Sequence, residues 1–556
     1  MTIVLFIIFY LSLTFFSRGS LIFYKSLFDK TYSVDDIKVF NIPIIIFFPI
    51  ISLFVIGNMS VLLNFFVPIN DLRLFFGALI ILFLLFNLRE KFKTHDKAIL
   101  FLTLLFVPAV LAISTYGLKL HFDSIDYHLN FQYWIRESHT TIGLSNLYRA
   151  YGWSTIYEYI SANLWLKNNF VLLHFLNITF FTFFYNFIIY CFLNLKNTFL
   201  YFVSIITILY SFLDNFGIGG GGNGFISIQM VGKPDLAVGV LFFIAAILLI
   251  NDMLDKNFIF KNFFLASILS LFAFQIKVVS VYLALLLIYY FYKLTKNKFK
   301  SEEITSIVFL ISIFFIYILK NIAVSGCAIF PISQTCISNF YWTEKYTVGN
   351  FSNAVIVGNY GYQLDYNFLT WFNNWINHAY NFQVYSNFLI SFVLIFMFNK
   401  VFFTTRKMKQ ISNLLFYKLF VVLVIIGFFF TGPTVRYGYG VFLISITLLT
   451  ITIGTIRFES ISKLLTPILL FVFIFSVLLT PRLYSYELFL QSPISLVRIE
   501  DNRDEHLQSI YLKDEINNRI KGQKCYIQPT CIKNKDYKRL ETKKMLNYRV
   551  YFLNKN

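Results

Sequence analysis

Residues 98–138, AILFLTLLFVPAVLAISTYGLKLHFDSIDYHLNFQYWIRES, join an apolar run to the first long polar stretch of the chain. The apolar run, residues 98–115, falls within the roughly 17–25 residues that a helix needs to cross a bilayer. Beyond it, Asp123, Asp126 and His128 lie close together in a chain of which only 13% of the residues are charged. Ionisable groups clustered near the end of an apolar run predict a functional site at a membrane surface.

The composition is that of a polytopic helical membrane protein. The chain has 556 residues, is 58% hydrophobic and 20% aromatic, and has a mean hydropathy of +0.67. Its net charge of +19 could suggest a nucleic-acid partner, but most lysines and arginines stand in short stretches between apolar runs. That distribution is typical of membrane topology. We therefore expect a lipid bilayer, and no nucleic acid, as a partner.

We predict an all-α fold with about 14 transmembrane helices. We expect amino-terminal transmembrane helices in residues 1–97, a transmembrane core in 98–480 with outer loops at 116–169 and 323–384, and a polar extramembrane tail in 481–556. The apolar runs occupy residues 1–23, 41–66, 72–88, 98–115, 170–194, 198–213, 235–251, 261–276, 278–293, 304–322, 385–401, 413–431, 438–456 and 463–480.

The charges between the apolar runs predict the orientation of the chain. No charged residue precedes Arg18 in the first run, so we expect no cleavable signal peptide and an amino terminus outside the cell. The basic stretches at 89–97 and 293–300 then face the cytoplasm, as positive loops of membrane proteins do. The basic tail would favour the cytoplasm, but long segments follow this rule poorly, and we expect the tail outside. The predicted location is a bacterial cytoplasmic membrane.

Four of the five cysteines form two close pairs on the side predicted to be outside. Cys327 and Cys336 share one outer loop, and Cys525 and Cys531 share the tail. Disulfides persist in oxidising compartments, so we predict a bridge within each pair, with unpaired thiols as the alternative. Cys191 lies in an apolar run and is expected to be an inert packing residue. Neither pair has a histidine at the spacing of a zinc site, and we predict no metal centre.

Further ionisable residues fall at the outer ends of predicted helices, at the same membrane depth as the first outer loop. A charge within a membrane helix costs roughly 2.5–3.5 kcal/mol on insertion scales, which makes such residues candidates for a functional site. Each lysine or arginine alone could simply reach to the interface, whereas the set with its carboxylates is harder to explain that way. The predicted substrate-binding residues are His128, Arg149, Glu158, Lys233, Asp235, Lys277 and Arg436.

These residue types suit the transfer of a sugar from a lipid phosphate. The reaction needs a carboxylate to take the proton of the acceptor hydroxyl as the glycosidic bond forms. It also needs cations to hold the departing phosphate. Tyr151, Trp153 and Trp165 could stack on sugar faces, although aromatic belts at membrane interfaces use the same residues. A divalent cation could assist at the carboxylates, but the sequence shows no clear ligand cluster.

The segment DSIDYHLNFQYWI, residues 123–135, resembles the first-loop signature of the GT-C glycosyltransferases, polytopic enzymes that take sugars from polyprenyl phosphates. It is most similar to bacterial members in which an Asp precedes a Tyr-His-Leu triplet, here Asp123 and residues 127–129. The segments GLSNLYRAYGW, GKPDLA, SGCAIFP and GPTVRYGYG resemble parts of a bacterial subgroup of such proteins. That family usually carries the loop after its first helix, whereas about four predicted helices precede it here, which implies an added amino-terminal bundle.

The resemblance implies that Asp123 is the catalytic base, and we take Asp126 as the second choice. On a helix, two carboxylates three residues apart share a face, and their crowding would raise the pKa of one of them. The implied activity is an inverting transfer of a sugar from an undecaprenyl-phosphate carrier to a glycan, lipid or protein acceptor on the outer face. The implied role is the synthesis of cell-envelope glycans.

Two other functions stay open at this point. A surface-polysaccharide polymerase or ligase also has many helices, with catalytic arginine or histidine in one large outer loop, which would be residues 323–384. A flippase or transporter should place ionisable residues near the bilayer midplane, where the predicted helices are nearly free of charge. Replacing Asp123 with Asn would separate a transferase that depends on the first loop from a polymerase that depends on the later one.

Overall fold

The structure, a computed structural model, is that of a predominantly helical membrane protein, as predicted. It describes residues 1–27, 33–91, 97–118, 120, 123–166, 169–193, 198–216, 232, 234–296, 298–357, 367–402, 414–430, 434–451, 458–497 and 539–554.

The described chain folds into α-helices with two short antiparallel strand pairs. The strands are β1 (Lys38–Val39), β2 (Ile42–Pro43), β3 (Leu540–Met545) and β4 (Tyr548–Leu553). The helices are α1 (Thr2–Leu27), α2 (Phe48–Asn64), α3 (Arg73–Asn87), α4 (Lys97–Phe101), α5 (Val107–Ala112), α6 (Leu129–Glu137), α7 (Ile156–Asn163), α8 (Val171–Leu193), α9 (Thr198–Phe216), α10 (Asp235–Asp255), α11 (Phe260–Ile276), α12 (Leu283–Leu294), α13 (Ser301–Ser325), α14 (Lys345–Val357), α15 (Phe368–Asn377), α16 (Ala379–Phe402), α17 (Leu414–Phe430), α18 (Tyr439–Ile451), α19 (Phe458–Leu479) and α20 (Leu483–Gln491).

Every predicted apolar run contains helix, but the helices differ in length. Among the described residues, 5 helices are long and apolar enough to cross a membrane, and 7 are if each of two sharply bent helix pairs counts as one span. The five are α1, α8, α10, α13 and the segment Ile69–Asn87, which includes α3. Seven further apolar helices have 10–17 residues. The total of about 14 spans therefore stays a prediction.

The centre of the bundle is made of helices that are apolar on every side. All residues of the most apolar stretch of α10 are buried, and α8 is nearly as enclosed. Helices without a polar face need apolar surroundings on all sides, which α10 finds against α8, α11 and α18. In contrast, α3 and α13 expose apolar side chains such as Leu74 and Phe315. Such outward apolar faces suit contact with lipid.

The first helices belong to the same core as the rest of the bundle. Helix α1 packs against α2, α3 and α5, and the Phe6 ring lies 5.2 Å from that of Phe175 in α8. Arg18 in α1 forms an ion pair with Asp35, with Nε 2.8 Å from Oδ1. The predicted amino-terminal helices in residues 1–97 thus share one apolar core with the following residues.

We use "loop end" for the end of the bundle where residues 123–166 meet the start of α10, the end of α11 and the start of α18. The β3–β4 hairpin, the described part of the tail, packs at this end. The backbone N–H of Tyr551 donates to the carbonyl of Ile142 at 2.9 Å, and the side-chain amide of Asn146 donates to the Tyr551 carbonyl at 3.0 Å. This part of the tail therefore lies at the same end as the predicted first outer loop.

Candidate functional site

A π-helical turn presents the predicted catalytic segment. Residues Ser124–His128 form this turn, and the N–H of Leu129 donates to the carbonyl of Ser124, five residues earlier. In an α-helix with ~3.6 residues per turn, residue 128 would point about 140° away from residue 123. The wider turn of a π-helix reduces that angle. As a result Asp123, Tyr127 and His128 line one cavity.

This cavity has a volume of about 350 Å³ and lies at the loop end. Its walls come from distant parts of the chain, including Trp153 from the first loop, Pro234 before α10, Val278 after α11 and Phe330 from the later loop. Two close approaches between chain segments at this cavity require glycine, one at Gly152 and one at Gly232. A Cβ on Gly152 would lie 2.5 Å from a ring carbon of Phe330.

The second required glycine brings the start of α10 against the π-helical turn. Gly232 has a φ of +87°, and a Cβ there would lie 2.3 Å from the hydroxyl oxygen of Ser124. A positive φ and such a close approach both favour glycine. The glycine lies three residues before Asp235, which lines the same cavity.

Four predicted site residues meet in this cavity. Nη2 of Arg436 lies 3.9 Å from Asp123 and its Nε lies 3.4 Å from Asp235, while Nζ of Lys277 contacts Asp235 directly. Asp235 is buried, with 3% of its side chain exposed, whereas Asp123 and Arg436 are each about one-quarter exposed. With all four ionised, the cluster has no net charge. Two carboxylates and two cations thus converge where the sequence predicted a shared membrane depth.

Local backbone structure places each member of this cluster. Asp235 is the first residue of α10. Lys277 is extended at the break between α11 and the following 3₁₀ turn, and Arg436 lies in the 3₁₀ turn that precedes α18. Ends of helices leave the backbone free to turn, so side chains there can point along the bundle axis into a cavity at its end.

Asp126, the second choice for the catalytic base, is placed differently from Asp123. Asp126 is buried and does not line the cavity. Its carboxylate accepts a hydrogen bond of 2.8 Å from the hydroxyl of Tyr148. The π-helical turn breaks the three-residue spacing rule of the α-helix. Burial and then the Asp126 charge raise the pKa of Tyr148 above its ordinary value, so this tyrosine stays a hydrogen-bond donor.

His128 and Glu158 form a buried pair beside the cavity. Nδ1 of His128 contacts Oε1 of Glu158, whose side chain is 2% exposed. Nε2 of Gln132 donates to Oε2 of Glu158 at 2.6 Å, and the indole N–H of Trp165 donates to Oε1 of Gln132 at 2.7 Å. His128 lines the cavity and the other three lie behind it.

Two other predicted binding residues are not part of the cavity wall that the structure describes. Arg149 is exposed, and its guanidinium carbon lies 5.2 Å from the centre of the Phe351 ring. Lys233 lies outside the described residues. Of the aromatic residues predicted to stack on sugars, Trp153 lines the cavity, whereas Tyr151 and Trp165 are buried and do not.

Lys320 also supports the cavity, although it was not among the residues predicted from the sequence. It is fully buried in α13, and its Nζ donates to the backbone carbonyl of Ser154 and to the Ser154 hydroxyl, 2.7 Å away. Ser154 and Tyr317 line the cavity, and Nζ lies 4.2 Å from the centre of the Tyr317 ring. Lys320 therefore supports the cavity wall from behind. The available signal was a single lysine within an otherwise apolar run.

The structure describes three of the five cysteines, two in a disulfide and one as a free thiol. Cys327 and Cys336 are joined in a disulfide, which closes the loop that contributes Phe330 to the cavity. Cys191 is a buried free thiol in α8, and Cys525 and Cys531 lie outside the described residues. Within the part of the chain that is described, no group of three or more histidine, cysteine or acidic side chains is arranged to hold a metal ion.

Comparison with known proteins yields one family. Residues 1–443 match the family described as "Domain of unknown function (DUF8201)". This match includes every residue of the charged cluster and every residue that lines the cavity. No curated protein matches the chain, and no solved structure does.

Proposed function

We propose that this protein, which belongs to the DUF8201 family, is a membrane glycosyltransferase of GT-C type. It would move a sugar from a polyprenyl-phosphate carrier to a glycan, lipid or protein acceptor. The observation that carries the proposal is the convergence of Asp123, Asp235, Lys277 and Arg436 on one cavity. We place the reaction on the outer face of a bacterial cytoplasmic membrane, in the synthesis of cell-envelope glycans.

The cations suit the phosphate of the donor. Asp235 contacts both Lys277 and Arg436 and so holds them at one side of the cavity. Arginine offers a planar pair of donors and lysine a point charge, and both bind phosphate oxygens well. Because the cluster is neutral, a phosphate must compete for its cations. The contact between Arg436 and Asp123, at 3.9 Å, is the longest ion-pair distance given for the cluster. We expect a bound phosphate to break this contact before the others.

The apolar wall suits the lipid part of the donor. Phe274, Ile276, Val278 and Val279 line the cavity beside Lys277. A polyprenyl chain attached to a phosphate at Lys277 and Arg436 would begin against this wall, and the sugar would lie toward Asp123 and Trp153. Trp153 offers an aromatic ring on which a sugar face can stack.

Asp123 would serve as the base once the phosphate has replaced it beside Arg436. The acceptor oxygen forms a bond to the anomeric carbon while the bond from that carbon to the phosphate oxygen breaks. The electron pair stays on the phosphate, and Asp123 takes the acceptor proton. Attack opposite to the phosphate inverts the anomeric carbon. Lys277 and Arg436 stabilise the negative charge that grows on the leaving group.

The test is sugar transfer by the purified protein in lipid nanodiscs. The wild-type protein, given polyprenyl phosphate that carries a labelled sugar together with an envelope extract as acceptor, should release polyprenyl phosphate as label moves to the acceptor. Asp123→Asn should slow this release by roughly 10²–10⁴-fold, the usual contribution of a general base. Asp71→Asn, a change at an exposed carboxylate outside the cavity, is the matched control. Full turnover by Asp123→Asn would contradict the proposal.

A surface-polysaccharide polymerase or ligase is the second candidate. The observation that favours it is that Ile329, Phe330 and Ser352, from the loop 323–384, line the same cavity as Asp123. Loss of activity in Phe330→Ala and Ser352→Ala, with full activity in Asp123→Asn, would identify this function instead. Movement of intact donor across the bilayer without release of the sugar would identify a transporter.

A further inference from the structure

The hydrogen bonds behind His128 have a fixed direction. The indole N–H of Trp165 can only donate, so the Gln132 oxygen that it contacts must accept. The Gln132 nitrogen must then donate to Glu158. Glu158 therefore receives one hydrogen bond at Oε2 and contacts His128 at Oε1. Because a carboxylate accepts hydrogen bonds and cannot donate them, the proton between the last two groups lies on Nδ1 of His128.

This direction determines what His128 offers to the cavity. With Nδ1 carrying the proton, the other ring nitrogen, Nε2, has a lone pair that can accept a proton. The buried Glu158 carboxylate, 2% exposed, would form an ion pair with the imidazolium that results. A histidine oriented by a carboxylate in this way is a common proton acceptor in enzymes.

We propose that His128 takes over from Asp123 the proton released in the transfer reaction, with Glu158 as its positioning residue. The inference rests on the proposed function and assigns a further catalytic residue to it. In the transfer step the acceptor proton passes to Asp123, and it then moves to Nε2 of His128. Asp123 is thereby returned to the carboxylate form for the next turnover, and the proton finally leaves on the released phosphate or on water.

Electrostatics explains why the proton should end on His128. If the proton stayed on Asp123, the neutral acid could not re-form its ion pair with Arg436, 3.9 Å away in the ligand-free protein, once the phosphate has left. On His128 the proton completes an ion pair with Glu158. Other groups also act on this histidine. The ionisable residues around it are Asp123, Asp126 and Tyr127 on its own turn, Tyr148 and Glu158 behind the turn, and Asp235, Lys277 and Arg436 across the cavity.

Chemical rescue tests the proton transfer itself. His128→Ala should lower kcat by roughly 10²–10⁴-fold, and added imidazole should restore part of the rate in proportion to its concentration. The control is His139→Ala, since His139 packs against Tyr548 away from the cavity. This variant should keep the wild-type kcat, and added imidazole should not change it. A loss in His128→Ala that imidazole does not relieve would overturn the proposal, because a structural role would not respond to a free base.

Glu158→Gln tests the positioning role. Without the carboxylate nothing pairs with the imidazolium or orients Nδ1, so kcat should fall while the KM for the donor stays unchanged, and Glu158→Asp should restore part of kcat. An unchanged kcat would contradict the role of Glu158.

A measurement without turnover separates this inference from the proposed function. Nitrogen NMR of histidine-labelled protein, with the His128 signals identified by their loss in His128→Ala, should show a protonated Nδ1 and an unprotonated Nε2 in the neutral ring. The opposite tautomer, with sugar transfer intact, would overturn the inference alone. The expected tautomer in a protein that transfers no sugar would count against the proposed function.

Discussion

Arg18 and Arg436 each contact aspartates, but their contacts differ in kind. Arg18 is 1% exposed and binds Asp35 with two hydrogen bonds of 2.8 Å, while its third nitrogen donates to Asn87 at 3.0 Å. Arg436 is 23% exposed, lies 3.4 Å and 3.9 Å from its aspartates and faces a cavity of about 350 Å³.

The difference distinguishes a structural ion pair from a candidate binding group. A guanidinium fork matched to one carboxylate leaves little to offer a ligand, and the Arg18 side chain is 1% exposed. Arg436 contacts two carboxylates at longer distances and borders open space. We therefore expect substitutions of Arg18 to change stability, and substitutions of Arg436 to change substrate binding.

The largest effect should come from Arg18→Gln. Removing one partner of a buried ion pair leaves Asp35 without its counter-charge, which costs about 3–5 kcal/mol of the free energy of unfolding. Denaturant unfolding of the purified protein in mild detergent measures this loss. The double variant Arg18→Met with Asp35→Leu should regain most of it, since neither partner of this ion pair is then left buried without its counter-charge. A large loss in the double variant would show that the ion pair is not the cause.

The next effect should come from Arg436→Gln. Loss of a charge-assisted hydrogen bond of about 1.5–3 kcal/mol should raise the KM for the lipid-phosphate donor by roughly 10- to 150-fold. The unfolding midpoint should change less than in Arg18→Gln, because the Arg436 side chain is 23% exposed. Steady-state kinetics over a range of donor concentrations measures the change. If Arg436→Gln left KM unchanged and strongly reduced the stability, Arg436 would be a structural residue like Arg18, and its proposed role in binding would be wrong.

The smallest effect should come from Lys25→Met. Lys25 contacts Glu90, and both side chains are about one-fifth exposed, so the pair is close to the surface class that contributes ~0–1 kcal/mol. Neither transfer activity nor the unfolding midpoint should change measurably. Lys277→Met is the matched change within the cavity and should weaken donor binding. Equal effects of the two lysine substitutions would argue against a special role of the cavity.

Much of the fold could be predicted from the sequence because membrane helices follow from apolar runs. The break at Lys277 and the turn before α18 also follow, since polar residues and glycines interrupt those runs. The lengths of the helices were less predictable, because short and bent helices have the same composition as full spans. The position of the tail hairpin depends on its pairing with Ile142, a contact between residues about 400 positions apart.

The site was predictable in its residue types but not in its pairings. Asp235, Lys277 and Arg436 could be proposed because they are ionisable residues at the ends of apolar runs, and Asp123 because it belongs to the charge cluster of the first outer loop. The π-helical turn could not, since helical spacing rules assume ~3.6 residues per turn, and it is this turn that separates Asp126 from the cavity. Lys320 was missed because a single lysine in an apolar run also suits a residue that reaches for the membrane surface.

The most direct measurement of the central claim is an electron cryomicroscopy structure of the protein in nanodiscs with a non-transferable analogue of a polyprenyl-phosphate sugar. We predict that the phosphate lies within hydrogen-bond distance of Arg436 and Lys277, with the anomeric carbon facing Asp123 and the lipid chain along Phe274 and Val279. An analogue bound elsewhere in the bundle, with Asp123 still beside Arg436, would contradict the account.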